Sequence, residues 1–216
     1  MDPIHTIALT MGTAWASGIN LYATVFMLGF LNMTGNITLP PELQMLSDPL
    51  VLIAAAFMYC VEFFADKVPG VDTGWDALHT FIRIPAGAVL AAGAVGDVGP
   101  AAQLAAGLIG GSLTAASHAT KAGSRAMINM SPEPFTNWAA SITEDVAVIG
   151  GLWAALHHPW VFLVGLVIFI LLLIWLLPKL WRGIVKLFSA IGRLFGAGRQ
   201  PPPSSPPSAP PPPLSP

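Results

Sequence analysis

The sequence predicts an all-α protein, a polytopic transmembrane helix bundle of about six spans, and three observations carry that expectation. Of its 216 residues 9% are charged and 54% hydrophobic, whereas a water-facing domain has about a quarter of its residues charged. Apolar stretches long enough for a bilayer recur along the chain, about 20 residues being sufficient to cross. The nine basic residues all fall on one side of a six-span arrangement, as positive charge retained in the cytoplasm would require. A net charge of −2 gives no basic footprint for nucleic acid.

The first span is placed at about residues 4–31, because no Asp, Glu, Lys or Arg occurs from Pro3 to Pro41. Met1-Asp2-Pro3 lacks the basic flank of a cleaved signal peptide, so this stretch reads as a retained helix. Its middle, Ala16-Ser17-Gly18-Ile19-Asn20, is polar and small enough for the helix to break there. A polar loop with Pro40-Pro41 follows, and its Asn32-Met33-Thr34 and Asn36-Ile37-Thr38 match glycosylation acceptors only by pattern.

The second span covers about 49–66 and stops at Lys67-Val68-Pro69-Gly70. The third, about 73–96, contains Pro85 and Gly87 as kink points. The fourth, about 100–128, is rich in Ala and Gly, which let helix backbones approach closely in lipid. The fifth starts after the proline-marked Ser131-Pro132-Glu133-Pro134 and reaches about Leu156. The sixth, 159–177, has no polar group beyond the indoles of Trp160 and Trp175. With six spans Lys67, Arg83, Lys121 and Arg125 share a side with Lys179, Arg182, Lys186, Arg193 and Arg199, which places both termini in the cytoplasm of an inner-membrane protein.

Beyond the bundle (1–178), residues 179–199 alternate a basic face with Leu180, Trp181, Ile184, Phe188, Ile191 and Phe195. That pattern predicts an amphipathic helix on the anionic inner membrane surface. Residues 200–216 hold ten prolines and no charge, a composition that builds no core and predicts a disordered tail. The segment Gly12-Thr13, Ala16, Ala23 echoes Gly111-Ser112, Ala115, Ala122. Three helices per half would invert the second half, the 3+3 arrangement common in secondary transporters.

The chemistry-bearing residues are the ionisable ones within these spans, where a charge at the bilayer centre costs about 2.5–3.5 kcal/mol on the insertion scale. Glu62 and Asp66 are spaced i, i+4. Asp72, Asp76, His79 and Arg83 form one helical stripe, and His118, Lys121 and Arg125 form another. Glu144 and Asp145 lie halfway along the fifth span, with Arg83, Lys121 and Arg125 as candidate partners. Together with Lys67 and Asn20 these are the candidate path or site residues. Glu62, Asp66, Asp76 and His79 are the weak candidates for a metal, being mixed carboxylates with one His at loose spacing. His5, His157 and His158 read as wetted groups, and the tryptophans as interface anchors. Cys60 stands alone, which excludes an intramolecular disulfide, and reads as a packing residue. No Gly-x-Ser-x-Gly, P-loop or His-Glu-x-x-His occurs, so no catalytic residue is assigned and no cofactor follows.

The run Glu62-Phe63-Phe64-Ala65-Asp66-Lys67-Val68-Pro69-Gly70-Val71-Asp72, continuing to Trp75-Asp76, His79-Thr80 and Arg83, resembles the signature of an uncharacterised bacterial integral membrane family. So do Ala16-Ser17-Gly18-Ile19-Asn20-Leu21-Tyr22, Ser131-Pro132-Glu133-Pro134 with Asn137, and Ser141 with Glu144-Asp145. The resemblance covers about residues 8–157. It implies the fold class and the same site residues, and no activity, since that family is a domain of unknown function. From the residues, three functions stand side by side. The first is transport or channel-like passage of a small ion or charged solute. The second is an enzyme or carrier handling a lipid-linked phosphate, and the third a scaffold whose charges only hold helices together.

Overall fold

The computed structural model describes residues 2–68, 70–129 and 134–196, and every regular element among them is helical. In order these are α1 (Pro3–Ile19), α2 (Leu21–Met33), a 3-10 helix (Pro41–Ser47), α3 (Pro49–Ala65), α4 (Val71–Ala94), α5 (Pro100–Ile128), α6 (Pro134–His157) and α7 (Pro159–Gly196). α4, α6 and α7 are each long and apolar enough to cross a membrane. The 3-10 helix and α3, bent by 67° at their junction, would add a fourth crossing if they act as one. α5 has 29 residues, a comparable length, but its second half carries His118, Lys121 and Arg125.

α3 to α7 run back and forth between two ends of the bundle. At one end the close of α4 meets the 3-10 helix, with Gly93 against Leu43 and Gly96 against Pro40. Leu43, Leu46, Leu39, Leu90 and Ala94 form an apolar plug there with Leu9 and Leu28. At the other end Asp66, after α3, meets Arg125 near the close of α5. The ionisable residues gather between the middle of the bundle and this second end.

The single crossing expected at 4–31 is corrected. α1 stops at Ile19, and α2 returns to the end from which α1 came: Asp2, His5 and Leu9 line one cleft with Asn36, Ile37, Thr38 and His157. α1 and α2 are therefore the two arms of a helical hairpin. Asn20 makes the tip. Its backbone is extended (φ −145°, ψ 97°), its N–H still closes α1 on Ala16 O, and its side-chain Oδ1 caps α2 by accepting from Ala23 N at 2.9 Å. Asn is among the best residues for that capping role. One consequence is that residue 2 lies at the end of the bundle from which α7 starts at Pro159.

Small residues set how closely the central helices approach. A Cβ on Gly18 would collide with the Ser117 hydroxyl and the Thr114 carbonyl of α5, and one on Gly87 of α4 with the Thr114 side chain. Thr114 and Ser117 use this proximity to donate to Ala14 O and Trp15 O of α1 at 2.8 and 3.0 Å. The two segments of the internal echo thus pack against each other, one broken at Asn20 and the other continuous.

α7 passes through Pro178 without interruption, whereas the span was expected to end there and a separate helix to begin. A proline removes the N–H that would bond the carbonyl four residues before it, here that of Ile174, and the Pro178 carbonyl accepts from Arg182 Nε at 3.1 Å. The side chains of Ile184, Lys186, Phe188, Ile191, Arg193 and Phe195, which carry the amphipathic reading, lie outside what is described, as do Ser131-Pro132-Glu133, Arg199 and the proline-rich tail. Cys60 is exposed on α3 and not a packing residue. Trp15 packs edge-on to Phe162 and Phe169 of α7, and Trp75 stacks on His79.

Candidate functional site

Local structure aims the ionisable side chains at one another. On α4 the i, i+4, i+7, i+11 stripe puts Asp72, Asp76, His79 and Arg83 on a single buried face. On α5 the i, i+3, i+7 stripe buries His118, Lys121 and Arg125 toward it. Glu62 in the last turn of α3 and Asp66 just after it close the group from a third side, and α6 supplies Glu144 from a fourth.

Arg83 holds Glu62 at 2.5 Å and Asp76 at 3.2 Å. Lys121 reaches Asp66 at 2.9 Å, Glu62 at 3.0 Å, Glu144 at 3.7 Å and Asp76 at 3.8 Å. Arg125 clamps Glu144 with two N–H groups, Nε at 3.1 Å and Nη2 at 2.7 Å, and lies 3.5 Å from Asp66. Its Nη1 donates to the carbonyls of Asp66 and Asn137. All are buried except Glu144, whose side chain is 17% exposed. Ions taken out of water lose several kcal/mol each unless partners replace the hydration, and this mutual pairing is what makes the arrangement tolerable.

The cluster is not balanced. Four carboxylates (Glu62, Asp66, Asp76, Glu144) answer three cations (Arg83, Lys121, Arg125). Among the described residues, Glu62 Oε2, Asp66 Oδ1 and Asp76 Oδ2 have no hydrogen-bond partner.

The hairpin tip enters this cluster. Because Ala23 N is taken by the Asn20 cap, the Ile19 carbonyl is released from the helical ladder, and Lys121 Nζ donates to it at 3.2 Å. A cation at the C-terminus of α1 also meets the negative end of that helix dipole. With its oxygen fixed by the cap, the Asn20 amide presents Nδ2 outward and donates to Asp145 Oδ1 at 3.1 Å.

The remaining candidates sit on the rim. His79 Nδ1 donates to Trp75 O at 2.9 Å, so its Nε2 accepts from the Tyr22 hydroxyl at 3.0 Å. His118 Nδ1 accepts from Arg83 Nη1 at 3.3 Å, with Thr80 Oγ1 2.8 Å from Nε2. Asp72 is gripped by Asn129, which Asn137 in turn holds. Lys67, in the connection after α3, donates to Phe63 O and Ser141 Oγ. Desolvation pushes its ammonium below the ordinary lysine value, with Asp145 and Asp66 pulling the other way.

Among the described residues no three His, Cys, Asp or Glu side chains are spaced to hold a metal ion, and His79 Nε2 is engaged with the Tyr22 hydroxyl. The charge stripes alone did not mark Asn129, Thr80 or the Ile19 carbonyl. An uncharged side chain and a backbone atom carry no periodic signal.

A helical membrane protein with a buried, charge-unbalanced ion-pair cluster is the class that this fold and site define. The chain belongs to the family described as Domain of unknown function (DUF4126), which matches residues 7–179 and so takes in the first half of α7 as well. No curated protein and no solved structure matches it.

Proposed function

We propose that this protein is a transporter or channel-like protein for a small cation, with the cluster around Lys121 as its central site. One observation carries the reading: a helical hairpin ends inside the cluster, offering a released carbonyl and a side-chain amide to it. Discontinuous helices whose half-ends meet at a buried site are how secondary transporters bind ions and substrates. The surplus of carboxylate favours a cation over an anion. It weighs against the lipid-phosphate reading, because Arg83, Lys121 and Arg125 are each committed to carboxylates.

Burial favours a second reading, the scaffold, since Glu62, Arg83 and Arg125 are 0% exposed and the pairs are closed in this arrangement. The transporter reading takes the same closure as an occluded state. Localisation to a bacterial inner membrane belongs to the proposal. So does the orientation, with Lys67, Lys179 and Arg182 on the cytoplasmic side and residue 2 outside, and so does contact of the end of α7 with anionic lipid.

The test is cation flux into vesicles holding the purified full chain, with H⁺, Na⁺ and K⁺ offered separately under an imposed potential. Uptake above protein-free vesicles, reduced at least tenfold by Asn20→Ser at equal folded protein, is expected. No uptake of any of them, with Asn20→Ser merely less stable, would leave the scaffold.

A further inference from the structure

Six acidic side chains belong to the site, and they differ in what answers their charge. Glu62, Asp66, Asp76 and Glu144 each have a cation within ion-pair distance. Asp72 has none, but it accepts from Gly70 N, Thr73 N, Thr73 Oγ1 and Asn129 Nδ2, at the N-terminus of α4 where the helix dipole favours an anion. Asp145 is different. It is 8% exposed, what reaches it as hydrogen-bond donors is neutral, the Asn20 amide on Oδ1 and the nearby Tyr59 hydroxyl, and Oδ2 has no hydrogen bond of standard geometry among the described residues.

We propose that Asp145 is a proton-binding site, carrying one exchangeable proton on Oδ2 in this closed arrangement, and that Asn20 at the hairpin tip is its reader. The groups that face it argue for this. Tyr59, Glu62 and Asp66 approach from α3 and its end, Lys67 from the following connection, Lys121 from α5, and Glu144 precedes it on α6. Lys121 is already shared among four carboxylates, and Lys67 is held by Phe63 O and Ser141. A further negative charge beside a cluster that already has one carboxylate in excess, with Lys67 and Lys121 acting on it from beyond ion-pair distance, is unfavourable in low dielectric.

A proton removes that charge without requiring convergent ligands. A metal cation would require several, and no group of three or more acidic, His or Cys side chains is so placed among the described residues. On release the proton passes to water and leaves a carboxylate. The Asn20 Nδ2 donor then bonds to an ionised acceptor, which is roughly twice as strong an interaction, so the charge of Asp145 and the hold on the α1–α2 tip change together. As the coupling ion of a transporter this proton rests on the reading proposed above; as a bound proton it stands without it.

Infrared spectroscopy of the full chain in lipid nanodiscs near neutral pH tests the proposal. The carbonyl stretch of one neutral carboxylic acid per chain, shifted in heavy water, is expected in the wild type and in Glu144→Gln and absent from Asp145→Asn. Should Asp145→Asn not fold, Asp145→Glu must move the band. A wild-type spectrum without such a band, or one unaltered by every Asp145 substitution, would overturn it. A band without cation flux removes the transport reading and leaves the proton site. Flux without a band does the reverse.

Discussion

At the scale of single residues, Lys121 is the pivot of the site, because its one ammonium serves four carboxylates and the free carbonyl of Ile19. Lys121→Met keeps the length of the side chain and removes the charge, leaving Glu62 and Asp66 without that partner in the interior. Breaking a buried pair by removing one member costs about 3–5 kcal/mol. Denaturant unfolding of the solubilised protein is expected to show a loss of that order, and a loss below about 1 kcal/mol would mean the cluster is wetter and looser than its burial implies. Arg125→Lys is expected to release Glu144, since a point charge does not reproduce the two-pronged grip of a guanidinium, and to cost less than Lys121→Met in the same assay. The charged members of the site were legible in the sequence because intramembrane charge is rare and i, i+4 and i+7 spacings put it on one face. The asymmetry between Glu144 and Asp145 was legible only as a divergence of about 100° on a helix. That Arg125 takes the first and Asn20 the second depends on how α6 is rotated against α1 and α5, which no local pattern encodes.

At the scale of elements, the break at Asn20 was visible as a polar, small-residue interruption, but the reversal was not. Hydropathy measures how apolar a stretch is and carries no sense of direction, so α1 and α2 summed to one crossing. What turns the chain back is tertiary: α2 packs on the 3-10 helix and the start of α3, with Gly29 against Leu46 and Leu52. Impermeant thiol labelling in a Cys60→Ser background checks the hairpin. His5→Cys and Asn36→Cys are expected to react from the same face of the membrane; reaction from opposite faces would restore the single crossing. The contact between α1 and α5 is equally specific, because Gly18 leaves no room for a side chain beside Ser117. Gly18→Leu is expected to lower thermal stability by the equivalent of about 1–3 kcal/mol, the usual penalty for overpacking, and to distort the tip and with it cation flux. The helix starts expected at about 49, 100 and 159 fall at Pro49, Pro100 and Pro159, whereas α7 continues through Pro178.

At the scale of the whole molecule, an apolar core fills one end of the bundle and the unbalanced charge cluster occupies the other half, with the tip of the α1–α2 hairpin joining them. The class of fold followed from composition alone, because a chain with so little charge has no other solvent than lipid. Lys67, Arg83, Lys121 and Arg125 converge in one half of the bundle. The central claim is that the tip lies on a cation path that opens to the membrane faces in turn, and not inside a permanently sealed lock. Leu21, 5% exposed and next to Asn20, reports on this without touching the charges. In vesicles holding Leu21→Cys, Cys60→Ser protein, impermeant maleimide is applied from each face in turn, with and without an imposed proton gradient. The account predicts labelling whose preferred face switches with the direction of the gradient. A thiol that stays unreactive from both faces under every gradient, yet titrates fully once the protein is unfolded, would contradict it.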